Sequence, residues 1–407
     1  MKKLLAIVLA ALMIVPVLAA CQPANNNGDN SGKTDDGGKT DGTYKVAMIT
    51  DYGDITDESF NQTTYEACKE YCEANKISFK YYKPAGDSTP ERVDKVEEAI
   101  DAGYNVIVMP GFAFAETVYA VQDKEEYKDV KFIALDVSKD DVFSKFYTEG
   151  DMEKPLIDEN NKPHVGKNVY CAVYKEELCG YMAGYAAVKL GYKHLGFLGG
   201  MAVPAVIRYG YGFVQGCDAA AAEMGIADQV SVEYVYGNKF AGDPAIAAYM
   251  DTWYQTKGVE VVFACGGGIY TSAVEAAKKA NGKVIGVDVD QAAIIKTLSD
   301  VDGMTVTSAM KGLGATVKNV LNETIKNDKW ASFGGKIDEL GLVSGTDPEL
   351  NYVQIPMKST QWKDGAFTIE NYKELVSKMF KGEIKVSSEI GDMPGTTITV
   401  NKYEDIL

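Results

Sequence analysis

Histidine is nearly missing from this chain. His164 and His194 are its only two among 407 residues, which leaves little for imidazole general acid–base chemistry or a histidine metal centre. No Gly-x-Ser-x-Gly elbow occurs, so the usual serine-nucleophile turn is excluded. Basic residues are also short: 41 Lys and Arg stand against 58 Asp and Glu, a formal charge of −17. Nucleic acid and anionic headgroups repel such a chain, so no nucleic-acid partner is expected. A phosphate-rich ligand is disfavoured, and a neutral or cationic small molecule stays open. The seven cysteines form no disulfide framework. Cys68 and Cys72 share one face of a predicted helix, and Cys171, Cys179, Cys217 and Cys265 read as small apolar core residues. No cofactor or metal is expected. Long apolar runs are absent after Cys21, so no span of the body across a membrane is expected.

The exception lies at the N-terminus. Met1-Lys2-Lys3 is positive, Leu4–Leu18 is almost wholly apolar, and Leu18-Ala19-Ala20-Cys21 closes the run. The stretch is shorter than the ~20 residues of a spanning helix and has the layout of a secretory signal. Its end resembles the lipobox of bacterial lipoproteins. Residues 1–20 are therefore expected to be a signal peptide, with Cys21 lipidated and the protein held on the extracytoplasmic side of the cell membrane. Residues 21–42 are a polar tether in which Gly-Lys-Thr-Asp occurs twice. The Gly-Lys-Thr pieces are no phosphate loop, because the leading glycine and the preceding strand are missing.

From Tyr44 onward, short apolar strands alternate with amphipathic helices. At 46% hydrophobic and 24% charged residues the body is globular, and its length suits two lobes better than one core. Tyr44–Thr50, Ser78–Lys83, Val106–Met109 and Phe132–Leu135 read as strands, with helices at Asn61–Asn75 and Pro90–Ala102. A polar, aperiodic excursion from about Thr148 to Lys167 follows. A second series then runs through strands Val169–Val173, His194–Leu198, Val230–Tyr236, Val261–Cys265 and Val284–Val287. Its helices are Glu177–Lys189, Tyr209–Met224, Pro244–Gln255 and Tyr270–Ala280. Such βα alternation implies two doubly wound, mostly parallel sheets.

Ligands of such sheets sit beyond the carboxyl ends of the strands. There the first strand delivers Asp51-Tyr52-Gly53-Asp54-Ile55-Thr56-Asp57-Glu58-Ser59-Phe60-Asn61-Gln62. The residues allow a plain polar loop with Ser59 capping a helix. They also allow ligand contact, with Phe60 as a stacking face and Asp51 and Asn61 reading acceptor and donor edges. The aromatic ring favours contact, because a solvated loop gives it no purpose. Asp136 and Asp288 end two further strands; with Asp51 they make three acids at equivalent positions. Ionised carboxylates are acceptors only, so a polyhydroxylated or amine-bearing ligand suits them. Cys265-Gly266-Gly267-Gly268 permits close backbone approach of a ligand or a plain tight turn; with Thr271 where a glycine is needed, it is no dinucleotide fingerprint.

Five strings in order resemble one family: Asp51–Gln62; Glu177–Ala187 with its glycines; Gly199-Gly200-Met201-Ala202-Val203-Pro204 with Gly212-Phe213; Ile285–Gln291; and Thr307-Ser308-Ala309-Met310-Lys311. They are similar to the basic membrane protein family of ABC-transporter substrate-binding lipoproteins, which includes purine nucleoside receptors. The resemblance implies an α/β type I periplasmic-binding-protein fold: two doubly wound parallel-sheet lobes joined by a hinge. It places an N-terminal lobe at 43–167 with a return segment at about 304–335, and a C-terminal lobe at 168–303 with a closing segment at about 336–407. It implies no enzyme activity but binding of a nucleoside, a purine one, and delivery to ABC permease subunits by a monomeric protein. Carried onto this chain, Phe60 and Phe240 clamp the base, and Asp51, Asn61 and Asp136 read its edge. Asp288 and Lys311 hold the ribose hydroxyls, with Gly268 close by. The string around Phe240 is one residue longer than the family's, which makes Tyr236 an alternative second ring. Ala202 stands where an acid is common, and Ile207-Arg208 where two arginines are. The same fold around a sugar or signalling molecule, a nucleoside-processing enzyme, and a surface antigen or sensor are the competing readings.

Overall fold

Strands such as Val106-Ile107-Val108-Met109 carry apolar side chains on both faces, so both must be covered. In a computed structural model, which describes residues 44–139, 141, 146–149, 152–155 and 164–407, they are. The expected signal peptide, Cys21 and the tether lie outside the described residues.

The first sheet comprises β1 (Lys45–Ile49), β2 (Ser78–Tyr82), β3 (Val106–Pro110), β4 (Lys131–Leu135), β7 (Val169–Tyr174) and β13 (Lys336–Leu340). Their spatial order is β13-β7-β4-β3-β1-β2, parallel throughout. The second comprises β8 (His194–Gly199), β9 (Ser231–Tyr236), β10 (Val261–Cys265), β11 (Lys283–Asp288), β12 (Thr305–Lys311), β14 (Val353–Gln354) and β15 (Thr399–Lys402). Its order is β14-β12-β11-β10-β8-β9-β15, with only β14 antiparallel. A separate antiparallel pair, β5 (Phe146–Glu149) and β6 (Met152–Pro155), overlaps the start of the stretch expected to be irregular.

Strand period sorts the core. Val46 and Met48 enter one apolar cluster, while Ala47 and Ile49 enter another with Val96, Ala99 and Phe114. In the second lobe, Phe263 and Cys265 face the first cluster and Val262 and Ala264 face a third around Trp253. Burial of each such aliphatic or aromatic side chain is worth about 1.5–3 kcal/mol. The six described cysteines are free and buried in these cores. Among the described residues no helix is long and apolar enough to cross a membrane.

The lobe boundaries differ from those expected. Val169–Tyr174 pairs with β4 and so belongs to the first lobe; Thr305–Lys311 pairs with β11 and belongs to the second. Lys336–Leu340, expected in the second lobe, pairs with β7 in the first. The chain thus crosses between sheets after β7, after β12 and after β13. Local periodicity reveals that a strand exists but not which distant strand it joins. The helix expected from Tyr209 begins at Pro204, whose fixed φ and missing N–H suit a first helical position.

The first crossing runs through α4 (Glu176–Lys189), after α1 (Phe60–Asn75), α2 (Thr89–Asp101) and α3 (Phe114–Gln122), and α4 packs on α5 (Pro204–Met224). Their backbones touch. A Cβ on Gly180 would lie 2.3 Å from the Tyr209 carbonyl oxygen, and one on Gly212 would lie 2.2 Å from that of Glu177. The glycines of the family-like helix therefore serve close helix packing. That packing fixes Glu176 and Arg208 beside the cleft.

Candidate functional site

The carboxyl ends of both sheets face a cleft of about 580 Å³. All eight residues expected from the sequence line it: Asp51, Phe60, Asn61 and Asp136 from the first lobe; Phe240, Gly268, Asp288 and Lys311 from the second. Tyr236 is not among its lining residues. That ring is buried against Gly199, its hydroxyl 2.9 Å from that of Tyr234.

The loop after β1 is built on two carboxylates. Asp51 Oδ1 accepts from the amides of Tyr52 (2.7 Å) and Gly53 (2.6 Å). Burial raises its pKa, against those two bonds, Asn61 and Arg92. Asp57 accepts from the amides of Ser59, Asn61 and Gln62 at 2.9–3.1 Å and from Asn61 Nδ2 at 3.2 Å. Asp57 therefore satisfies the first amides of α1, the task expected of Ser59. Ser59 makes no capping bond. Asn61 is nearly fully buried, and its Oδ1 has no hydrogen-bond partner among the described residues.

Phe240 sits on a glycine platform. A Cβ on Gly200 would fall 2.3 Å from its ring, and one on Gly266 (φ +130°) 2.8 Å from it. The Phe240 carbonyl accepts from Gly268 N at 2.8 Å. Glycines 200 and 266 thus make room for this ring. At Gly268 a Cβ would meet Phe240 O at 3.6 Å and Ala241 Cα at 3.8 Å, ordinary contact distances, so this glycine is not required by protein packing.

Charge gathers at the cleft floor. Lys311, ending β12, is 6% exposed. Its Nζ lies 2.5 Å from Asp136 Oδ2, 3.6 Å from Glu176 Oε1 and 3.7 Å from Asp288 Oδ1. It also stands 4.7 Å from the centre of the Phe60 ring, within cation–π range. Burial would lower the Lys311 pKa, but the three carboxylates reverse this and hold it raised. Arg208 Nε donates to Glu176 Oε2 at 2.7 Å. Asp288 is raised by burial, with Lys311 and Ser59 working against that. Two cations thus meet three carboxylates, Glu176 and Asp288 buried and Asp136 half-buried, and among the described residues Asp136 Oδ1 and Glu176 Oε1 have no hydrogen-bond partner. The floor has spare acceptors, so it suits a ligand that brings hydroxyl or amine donors. At the mouth, Lys83 and Lys239 are paired with Asp54 and Asp243, each at 2.8 Å.

Glu176, Arg208 and Tyr209 were not expected in the site. Glu176 lies two residues past β7, so the strand-end rule would have found it had that strand been run to Tyr174. Arg208 stands where the resemblance expects an arginine, and its partner, Glu176, is visible only in three dimensions.

Residues 44–389 match the family described as ABC transporter substrate-binding protein PnrA-like. An ABC transporter nucleoside-binding protein BmpA from Lactococcus lactis subsp. cremoris is 27% identical over 84% of this chain and 90% of its own length. Basic membrane protein B of Borreliella afzelii is 26% identical over 74% and 79%. A solute-binding protein of an ABC transporter system from Aeropyrum pernix superposes with a TM-score of 0.60 at 18% identity, over 84% of this chain and 87% of that one. Another from Conexibacter woesei gives 0.60 at 19%, over 85% and 99%. Both share the periplasmic-binding-protein fold.

Proposed function

Because this chain belongs to the PnrA-like family of ABC-transporter substrate-binding proteins, and so binds a solute for transport rather than transforming it, we propose that its solute is a purine nucleoside. The observation that carries this reading is the pairing, in one cleft, of two phenylalanines from opposite lobes with a carboxylate–lysine floor. Phe60 and Phe240 stack the base; such contacts are worth about 1–3 kcal/mol each. Asp51 and Asn61 read the base edge. Asp288 and Lys311 engage the ribose hydroxyls, and Asp136 joins them on that side because Lys311 binds it directly. Gly268 leaves the backbone bare beside the ligand. The nucleoside-binding name of the Lactococcus relative supports the same class.

The protein works as a monomer on the outer side of the cell membrane, anchored through lipid on Cys21, and passes nucleoside to ABC permease subunits. Closing the lobes shields the ligand from water, and contacts made only in the closed form drive the closure. Mass spectrometry of small molecules released from the purified protein tests the ligand class. A purine nucleoside is expected; a monosaccharide alone would overturn the reading. Replacing Cys21 by serine should move the protein from the membrane fraction to the soluble one, and unchanged fractionation would remove the anchor.

A further inference from the structure

Ser59 occupies the N-cap position of α1, where a serine ordinarily turns its oxygen onto its own helix. Here the hydroxyl points away. It donates to Asp288 Oδ2 at 2.6 Å, across the gap to the other lobe. The cap is supplied instead by Asp57. Next to it, Glu58 adopts φ +50°, a left-handed conformation that costs a non-glycine residue about 1–3 kcal/mol. Its carbonyl oxygen accepts from Gln291 Nε2 of the second lobe at 3.0 Å. Gln291 is itself held on both sides: its Oε1 accepts from Val287 N at 3.0 Å, and its backbone N donates to Ser308 Oγ at 3.2 Å. Ser59 and Gln291 are fully buried, and neither lines the cleft. A strained turn, a diverted cap and a clamped glutamine thus all serve one junction between the lobes.

We infer that Ser59 and Gln291 are positioning residues of a latch that joins the lobes directly, so that they strengthen ligand retention without touching ligand. The hydroxyl fixes the Asp288 carboxylate from the far side, leaving its other oxygen toward Tyr209 (3.4 Å) and Lys311. Gln291 ties the backbone of the loop that carries Phe60 and Asn61 to the turn that carries Asp288. Because opening the lobes breaks both bonds and encounter with an open cleft needs neither, the latch acts on release.

This inference rests on the nucleoside reading for its ligand arm only. That arm uses stopped-flow release of inosine from the full chain and from Ser59→Ala, Ser59→Thr and Gln291→Glu. The last substitution keeps the acceptor for Val287 N but sets a carboxylate against the Glu58 carbonyl. Ser59→Ala and Gln291→Glu should each release inosine about tenfold faster at an unchanged association rate, as expected for one lost hydrogen bond. Ser59→Thr, which keeps the donor, should release more slowly than Ser59→Ala. The second arm is amide hydrogen exchange of residues 57–62 without ligand, which should quicken in Ser59→Ala and Gln291→Glu and not in distant α10 (Ile369–Phe380). Wild-type release and exchange rates in both variants would overturn the latch, and so would uniform loss of protection through the chain. If the wild-type chain binds no inosine, the nucleoside reading falls and the exchange arm alone decides the latch.

Discussion

Asp136 and Asp288 hold matching places in the two lobes. Asp136 directly follows β4 in one sheet and Asp288 is the last residue of β11 in the other, and each has a left-handed φ, +58° and +64°. Aspartate tolerates that conformation better than most residues, yet it still costs energy, and such strain gathers at functional sites. Their partners differ. Asp136 spends one oxygen on Lys311 and leaves Oδ1 without a partner among the described residues. Asp288 spends both, on Ser59 from the other lobe and on Tyr209 and Lys311 from its own. One backbone device therefore presents two different acids: an open acceptor in the first lobe, and a link between lobes in the second.

The strongest way to break this comparison is to remove the cation the two acids share. Lys311→Met leaves the buried Asp288 and Glu176 and the half-buried Asp136 without their common partner, and such losses cost about 3–5 kcal/mol. Denaturant unfolding at neutral pH should show that loss, and a change below 1 kcal/mol would deny the floor its charge balance.

Glu177 adjoins this cluster and sharpens it through pH. Burial first, and then Glu176, raise its carboxyl from 4.5 to about 7. Its folded-state pKa lies above the unfolded one, so the folded chain binds the extra proton between these values. Stability from this group is present below about pH 4.5 and is lost as pH rises toward about 7. Glu177→Gln should recover up to about 3 kcal/mol at pH 8 and flatten the stability profile across that window. An unchanged profile would contradict the assignment.

Asp288→Ala should weaken nucleoside binding at least tenfold, about 1.4 kcal/mol, without unfolding the chain. Asp136→Asn keeps the shape and leaves the Ser59–Asp288 bond intact; it should cost less, about fivefold. Calorimetric titration of both reads the order, and a reversed order would exchange the two roles.

The strand ends were legible in the sequence because apolar runs ending in acid or glycine mark where a doubly wound sheet opens. Asp51, Asp136 and Asp288 follow from that rule alone. Phe240 and Lys311 do not: on their own a ring reads as core and a lysine as surface, and only the resemblance moved them into the cleft. What Ser59 does was illegible, since its position in the chain says cap and only the fold brings Asp288 within reach. The lobe boundaries failed for a related reason: pairing of Val169–Tyr174 with β4 rather than with a later strand is decided by contacts distant in the chain. The glycines of 177–187 read as motif, and the structure gives their cause in backbone contact between α4 and α5.

The central claim is that rings from two lobes and the acids beneath them grip a base and its sugar together. Calorimetric titration of the protein and its Phe240→Ala variant with inosine, adenosine, cytidine and free ribose tests it most directly. The account predicts tight binding of a purine nucleoside, little or none of ribose, and roughly tenfold or greater weakening in the variant. Ribose bound as tightly as the nucleosides, or a variant that binds like the wild type, would contradict it.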